Sequence, residues 1–96
     1  MSLYVVRHQH TPETCPARDP AMGAQLLKHL SSKNAQTYGV DLKSEAVLDG
    51  QHTLFLIAEA DSQGKLQEFM QPFAQAGKVE IWPASECEAV VGRAGC

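Results

Sequence analysis

The sequence lacks a hydrophobic stretch long enough to cross a membrane. Its longest apolar run is the segment 53–58 (TLFLIA), whereas a membrane-spanning helix needs about 20 apolar residues. A basic segment followed by an apolar one is also missing at the amino terminus, where residues 1–3 lead directly into a strand pattern. We therefore expect a cytoplasmic protein that has no membrane partner.

Cysteine and positive charge are scarce as well. The chain has three cysteines, and an odd number indicates reduced thiols rather than a secreted disulfide framework. Lysine and arginine together number 8 against 11 acidic residues, and the basic residues are spread singly along the chain. A protein that follows a phosphate backbone needs a basic face, so nucleic acid is not an expected partner.

Signatures of several common enzyme classes are absent from the sequence. It contains no glycine-rich phosphate loop, no C-x-x-C pair and no Ser-His-Asp order. The length of 96 residues, 44% of them hydrophobic, suits one small domain. We predict a single domain over residues 1–96, with the folded core over 3–84 and a carboxyl-terminal tail over 85–96.

Local patterns predict an alternation of strands and helices. Asp19-Pro20 is typical of a helix start, Gly39 of a helix end, and Asp49-Gly50 of a hairpin turn. Pro72 predicts a kink, because proline cannot donate a backbone hydrogen bond within a helix. The predicted strands cover 3–10, 40–48, 52–60 and 78–84, the predicted helices cover 20–31, 33–38 and 62–76, and a short extra strand is expected at 89–91.

This order predicts an α+β fold of the ferredoxin-like βαββαβ type. In that fold the antiparallel sheet has strand order 4-1-3-2, and two helices cover one face. The first strand is nevertheless apolar on both faces, with Tyr4 and Val6 on one and Leu3 and Val5 on the other. Because a sheet covered on one side should alternate more cleanly, we expect a second copy to cover the other face, in a homodimer.

The element order, the two-faced sheet and the segment 68–83 (EFMQPFAQAG followed by KVEIWP) resemble the dimeric α/β-barrel proteins over residues 3–84. That superfamily includes monooxygenases of antibiotic-biosynthesis type and muconolactone-isomerase-like proteins. The resemblance implies that two ferredoxin-like chains pair their sheets into a barrel. The quoted segment is a packing signature, so the resemblance transfers no catalytic residue. The segments His8-Gln-His10 and Cys15-Pro16 differ from the branches with known activities and indicate a subfamily of its own.

The clearest chemical feature is the pair His8 and His10. Two residues apart on a strand, their side chains share a face about 6.5–7 Å apart. Cys15 follows His10 in a proline-containing loop. Imidazole and thiolate ligands suit zinc, copper or nickel rather than magnesium or calcium. The sequence therefore predicts a metal site at His8, His10 and Cys15; the alternative is two solvated histidines and a buried cysteine.

Two carboxylates are candidates for a ligand pocket beside these histidines. Glu59 ends the third predicted strand, which we take as a parallel neighbour of the first, so it is expected at the same sheet edge as His10. Glu80, early in the last strand, is expected near His8 or His10. Either carboxylate could orient a ligand or bind the metal itself.

Four further residues complete the candidates. Arg7 could hold an anion near the start of the first helix, although such an arginine more often pairs with a carboxylate. Trp82 shares a strand face with Glu80 and is expected to line a barrel interior, either in the core or an interface or as a platform for a substrate in a ligand pocket. His29 is expected at the edge of the core, and His52, directly after the hairpin turn, is expected in solvent.

Three functions remain open at this point. The first is a dimer that binds a transition metal or small ligand through His8, His10 and Cys15. The second is a small cofactor-independent enzyme, monooxygenase- or isomerase-like, with His8 or His10 as the acid or base in a pocket between sheet and helices. The third is a structural or regulatory interaction module, which needs neither a metal nor a pocket.

Overall fold

The chain alternates strands and helices in the predicted order, as a computed structural model of residues 1–96 shows. Two short 3-10 turns, at Pro12–Thr14 and Pro16–Arg18, follow the first strand. The longest helix has ten residues, and none is long and apolar enough to cross a membrane. The strands are β1 (Ser2–Gln9), β2 (Val40–Leu48), β3 (Thr53–Ala60) and β4 (Lys78–Ala84), and the helices are α1 (Pro20–His29), α2 (Ser32–Thr37), α3 (Gln63–Phe69), α4 (Gln71–Ala74) and α5 (Cys87–Gly92).

The four strands form one antiparallel sheet of order β2-β3-β1-β4. This is the predicted order 4-1-3-2 read from the other edge, so the α+β, ferredoxin-like fold is confirmed. The expectation that β3 runs parallel to β1 is wrong. The helical crossover makes β2 run in the same direction as β1, and the hairpin then reverses β3. Consequently the end of β1 lies beside the start of β3, where Gln9 pairs with Thr53.

Capping residues and proline define the helix ends as predicted. The Asp19 carboxylate accepts a hydrogen bond from the backbone N–H of Ala21 at 2.9 Å, and Pro20 occupies the first position of α1. The helix predicted over 62–76 divides into α3 and α4. Pro72 lies in the first turn of α4, where its missing N–H costs no helical hydrogen bond. The predicted helix is therefore interrupted completely at Met70, where a kink was expected.

The carboxyl-terminal tail differs from its prediction. Residues 89–91 belong to the helix α5 and not to a strand. The backbone N–H of Val90 donates to the carbonyl of Glu86 at 3.2 Å. Helical hydrogen bonds of this kind need only neighbouring residues, whereas a three-residue strand needs the free edge of a sheet.

The core lies between the helices and one face of the sheet. Tyr4, Val6 and His8 of β1 are buried on this face, whereas Leu3, Val5 and Arg7 on the other are only half-buried. The predicted two-faced character of the central strands is thus confirmed. The largest fully buried side chains are Phe69, Leu56, Leu66, Met70, Val6 and Val40. The sheet face away from the core is called the open face below, and its side chains include Val5, Arg7, Phe55, Ile57, Glu80 and Trp82.

Candidate metal centre

The end of β1 and the start of β3 bring two histidines together. The backbone N–H of His10 donates to the carbonyl of His52 at 3.1 Å, which extends the ladder beyond the Gln9–Thr53 pair. The ring centroids of His10 and His52 are 5.3 Å apart. His52 is half-buried, so the expectation that it lies in solvent is wrong. Its φ of +49° falls in the left-handed region, where the chain leaves the hairpin turn and enters β3.

The loop after β1 holds Cys15 close to these rings. Cys15 lies between the two 3-10 turns, each of which begins with a proline, and its N–H donates to the carbonyl of Pro12 at 3.4 Å. The Thr14 hydroxyl donates to the carbonyl of Ala76 at 3.1 Å and joins the loop to the segment after α4. These two hydrogen bonds hold the half-buried Cys15 thiol near the carboxyl end of β1.

The side chains of His10, Cys15 and His52 form a group with the composition of a metal site. One ligand atom from each residue lies within 4.8 Å of the other two. In a tetrahedral zinc site with bond lengths of 2.0–2.3 Å, such atoms are about 3.3–3.6 Å apart. Side-chain movements of about 1 Å would therefore bring all three ligand atoms to bonding distance from a single metal ion. His10 and Cys15 come from the predicted set, and His52 joins them in place of His8.

His8 lies beside this group and within the core. Its ring stacks on His10 with centroids 5.3 Å apart and meets the edge of Phe73 at 5.2 Å, and only 3% of the residue is exposed. Nε2 of His8 and both ring nitrogens of His10 are buried without a hydrogen-bond partner. A buried polar atom without a partner costs about 1–3 kcal/mol. Coordination would remove this cost for one nitrogen of His10.

Burial also determines the protonation of these rings. Desolvation lowers the pKa of His8, the neighbouring His10 lowers it further, and a hydrogen bond to the backbone of Phe73 acts in the opposite direction. The pKa of His10 is lowered first by desolvation and then by His52. Both rings are therefore neutral at pH 7. A neutral imidazole keeps a lone pair, as metal coordination requires.

The charge around the centre favours a cation. A cavity of about 340 Å³ lies against His10, Cys15 and His52, and two carboxylates, Glu45 and Asp49, also line it. Neither lysine nor arginine lines this cavity. A positive ion would thus meet negative charge and neutral donors.

The two glutamates predicted beside the histidines lie elsewhere. Glu59 pairs in register with Leu3, at the other end of β1 from His10, and its carboxylate contacts Lys43 at 3.3 Å. Glu80 lies directly opposite Arg7 and forms an ion pair with it. Neither expectation of proximity to the histidines is correct, because β3 is antiparallel to β1 and Glu80 belongs to the open face.

Arg7 and Trp82 also lie on the open face, away from the metal-ligand group. The expectation that Arg7 lies near the start of the first helix is wrong, because α1 packs on the opposite face of the sheet. Its alternative, an ion pair with a carboxylate, is confirmed. Trp82 lies opposite Val5, shares its face with Glu80 as predicted, and is 42% exposed.

His29 is the one histidine whose ring nitrogens are both satisfied. The Asn34 amide nitrogen lies 3.2 Å from Nδ1, and the carbonyl of Phe69 lies 2.7 Å from Nε2. Since an amide NH₂ can only donate, Nδ1 accepts and Nε2–H donates to the carbonyl. The ring also stacks on Phe69 at 4.7 Å. His29 therefore has a structural role, consistent with the expected position at the edge of the core.

His52 is the residue that reasoning from the sequence missed. The signal was present, because the Asp49-Gly50 hairpin and the strand order 4-1-3-2 together imply an antiparallel β3. The start of an antiparallel neighbour lies beside the end of β1, where His10 is found. Reading that register correctly would have placed His52 next to His10.

The comparison with known proteins identifies a family. No curated protein is similar to the chain in sequence. Residues 3–94 match the model of a family described as "Domain of unknown function (DUF3303)". This match spans almost the whole chain and includes the four strands, apart from Ser2, and the candidate metal ligands. The protein therefore belongs to the DUF3303 family.

Proposed function

We propose that this protein binds a transition metal ion, zinc, copper or nickel, through His10, Cys15 and His52. The observation that carries the proposal is the convergence of three donor atoms from three separate segments within 4.8 Å. Two imidazoles and one thiol form a donor set of the softness that these ions prefer. The unpartnered nitrogens of His10 and the nearby carboxylates support the same proposal.

His8 has a different role in this proposal from the one that the sequence suggested. It stacks on His10 and keeps that ring in place, but it is not one of the three ligands. Three protein ligands leave the fourth tetrahedral position open for water or a small molecule, as in catalytic zinc sites. The proposal therefore includes a small ligand that reaches the metal directly.

Cobalt can test whether Cys15 binds the metal. We expect the metal-free protein to bind one equivalent of Co²⁺ and to develop a thiolate-to-cobalt charge-transfer band in the near ultraviolet. The matched background is the double variant Cys87→Ser, Cys96→Ser, because both of these cysteines are exposed and could bind cobalt on their own. In that background the band should persist, and the additional change Cys15→Ser should abolish it. A band that survives Cys15→Ser would contradict the proposal.

We further propose that two copies pair through the open face and complete a dimeric α/β barrel. Ile57 lies on the central strand β3 and Trp82 on the edge strand β4, and each is 42% exposed on this face. The Arg7–Glu80 ion pair lies beside them, and Nε of Arg7 is buried without a partner. A two-fold pairing would cover the same apolar patch on both copies, which is the usual geometry of homodimers.

A charge introduced at the centre of the open face tests the pairing. We expect the native chain to sediment as a dimer at micromolar concentration, and Ile57→Glu to raise the dimer dissociation constant at least tenfold. A charge buried without a partner is the physical reason. Leu27→Glu is the control, because Leu27 is 72% exposed on α1, on the other side of the sheet. A monomeric native chain, or equal dissociation of both variants, would exclude this dimer.

A further inference from the structure

The cavity of about 340 Å³ at the candidate metal centre has mainly apolar walls. Leu26 and Leu27 line it from α1, and Val47 and Leu48 line it from the end of β2. Pockets for small molecules typically have volumes of about 300–1,000 Å³ and apolar walls with a few polar groups. The cavity between α1 and β2 therefore has the size and the lining of a small-molecule site.

Several of these apolar side chains lack protein cover. Val47 lies opposite Leu54 in register, and Leu54 is buried in the core, so both side chains belong to the face of the sheet that carries the helices. Val47 is nevertheless 58% exposed, and Leu27 on the other side of the cavity is 72% exposed. Exposed apolar side chains gathered around one cavity are typical of a binding site.

The proposed metal ligands lie at one wall of this cavity. His10, Cys15 and His52 all line it, whereas the neighbouring hollow of about 580 Å³ is lined by His10 and His52 but not by Cys15. An ion held by all three residues would therefore be reached from the apolar cavity. Three protein ligands leave a fourth tetrahedral position, which a molecule in the cavity can fill.

Charge restricts the kind of molecule that suits this cavity. Glu45 and Asp49 line it, and neither lysine nor arginine does. An anionic ligand would be repelled by both carboxylates, whereas an uncharged one would not. Among uncharged donors, a heteroaromatic nitrogen of the imidazole kind suits zinc, copper and nickel.

We infer that the cavity binds an uncharged nitrogen heteroaromatic molecule with an apolar substituent. Its ring nitrogen takes the fourth position on the metal, and its apolar part lies between Leu27 and Val47. The inference rests on the proposed metal site, and it adds the class of ligand that the site takes. The apolar walls supply affinity through burial of the substituent, and the two carboxylates supply the preference for an uncharged molecule.

Three probes test this inference on the cobalt-loaded variant Cys87→Ser, Cys96→Ser. They are 4-phenylimidazole, imidazole, which lacks the apolar part, and 4-(imidazol-4-yl)benzoate, which adds a negative charge. We expect 4-phenylimidazole to change the visible ligand-field bands of the bound cobalt. Its dissociation constant should be at least tenfold below that of imidazole and at least threefold below that of the benzoate.

The spectra separate failure of the inference from failure of the metal site. A thiolate-to-cobalt band that forms while 4-phenylimidazole leaves the ligand-field bands unchanged would overturn the inference alone. Affinity for imidazole or for the benzoate equal to that for 4-phenylimidazole would also overturn it. Absence of the thiolate-to-cobalt band would refute the metal site and this inference with it.

A variant with polar cavity walls provides the second measurement. Leu27 and Val47 are both exposed, so Leu27→Gln, Val47→Gln can remove apolar surface without disturbing the buried core. We expect 4-phenylimidazole to bind at least fivefold more weakly and imidazole to bind as before. The control is Val91→Gln, at a position that is 78% exposed on α5 and does not line the cavity. Undiminished binding of 4-phenylimidazole to the double variant, or an equal loss for both probes, would contradict binding between these walls.

Discussion

Replacement of His52 by alanine should weaken zinc binding by about 100-fold or more. Loss of a group that only orients a metal ligand already costs about 10–100-fold in affinity, and His52 is proposed as a ligand itself. A 100-fold loss corresponds to about 2.8 kcal/mol of binding free energy. The affinity is best measured by competition with a chromophoric chelator, in the background that lacks Cys87 and Cys96.

His8 provides the matched control for this experiment. We expect His8→Phe to change zinc affinity by less than tenfold, because phenylalanine keeps a flat ring against His10 and Phe73. It also removes the buried nitrogen that has no partner. A loss at His8→Phe as large as that at His52→Ala would instead favour the ligand set predicted from the sequence, His8, His10 and Cys15.

A methyl group at position 77 should destabilise the fold strongly. The Cβ of alanine would overlap the backbone carbonyl oxygen of Gln9 and lie 3.0 Å from Nε2 of His8. Backbone cannot move aside as a flexible side chain can, so β1 and the segment before β4 must separate. We expect Gly77→Ala to lower the free energy of unfolding by about 3 kcal/mol, the upper end for overpacking. The melting temperature of a domain of this size would fall by roughly 12–24 °C.

Gly64 is the control for this prediction. It lies within α3, where the nearest atom to an added Cβ is the Ser62 hydroxyl oxygen at 3.8 Å. Alanine is a better helix former than glycine, so Gly64→Ala should stabilise the protein by about 0.5–1 kcal/mol. Urea unfolding of both variants separates the two effects. Equal changes in stability would mean that β1 and position 77 do not approach each other as closely as described.

Most of the fold could be predicted because its signals are local. The alternation along β1, the cap at Asp19 and the helix interruption just before Pro72 each depend on neighbours within a few residues. The tail was misjudged because Ala89, Val90 and Val91 are compatible with a strand as well as a helix. The outer edges of β2 and β4 are free, but this segment forms helical hydrogen bonds, which need only neighbouring residues.

The site depends on contacts between distant segments, so it was predicted only in part. His10 and Cys15 are five residues apart, and their proximity follows from one strand end and one short loop. His52 is 42 positions beyond His10 and joins them only through the direction of β3. The same error of direction explains why Glu59 was expected beside His10 but lies at the other end of β1.

Up to residue 84, the sequence by itself determined the type and order of the main elements, because capping, alternation and proline act over a few residues. It also determined which face of β1 carries His8 and His10, since side chains alternate along a strand. Only the tertiary structure decided which third residue joins His10 and Cys15, and that Arg7 and Glu80 pair on the open face. Those contacts follow from strand direction and register, which long-range packing sets.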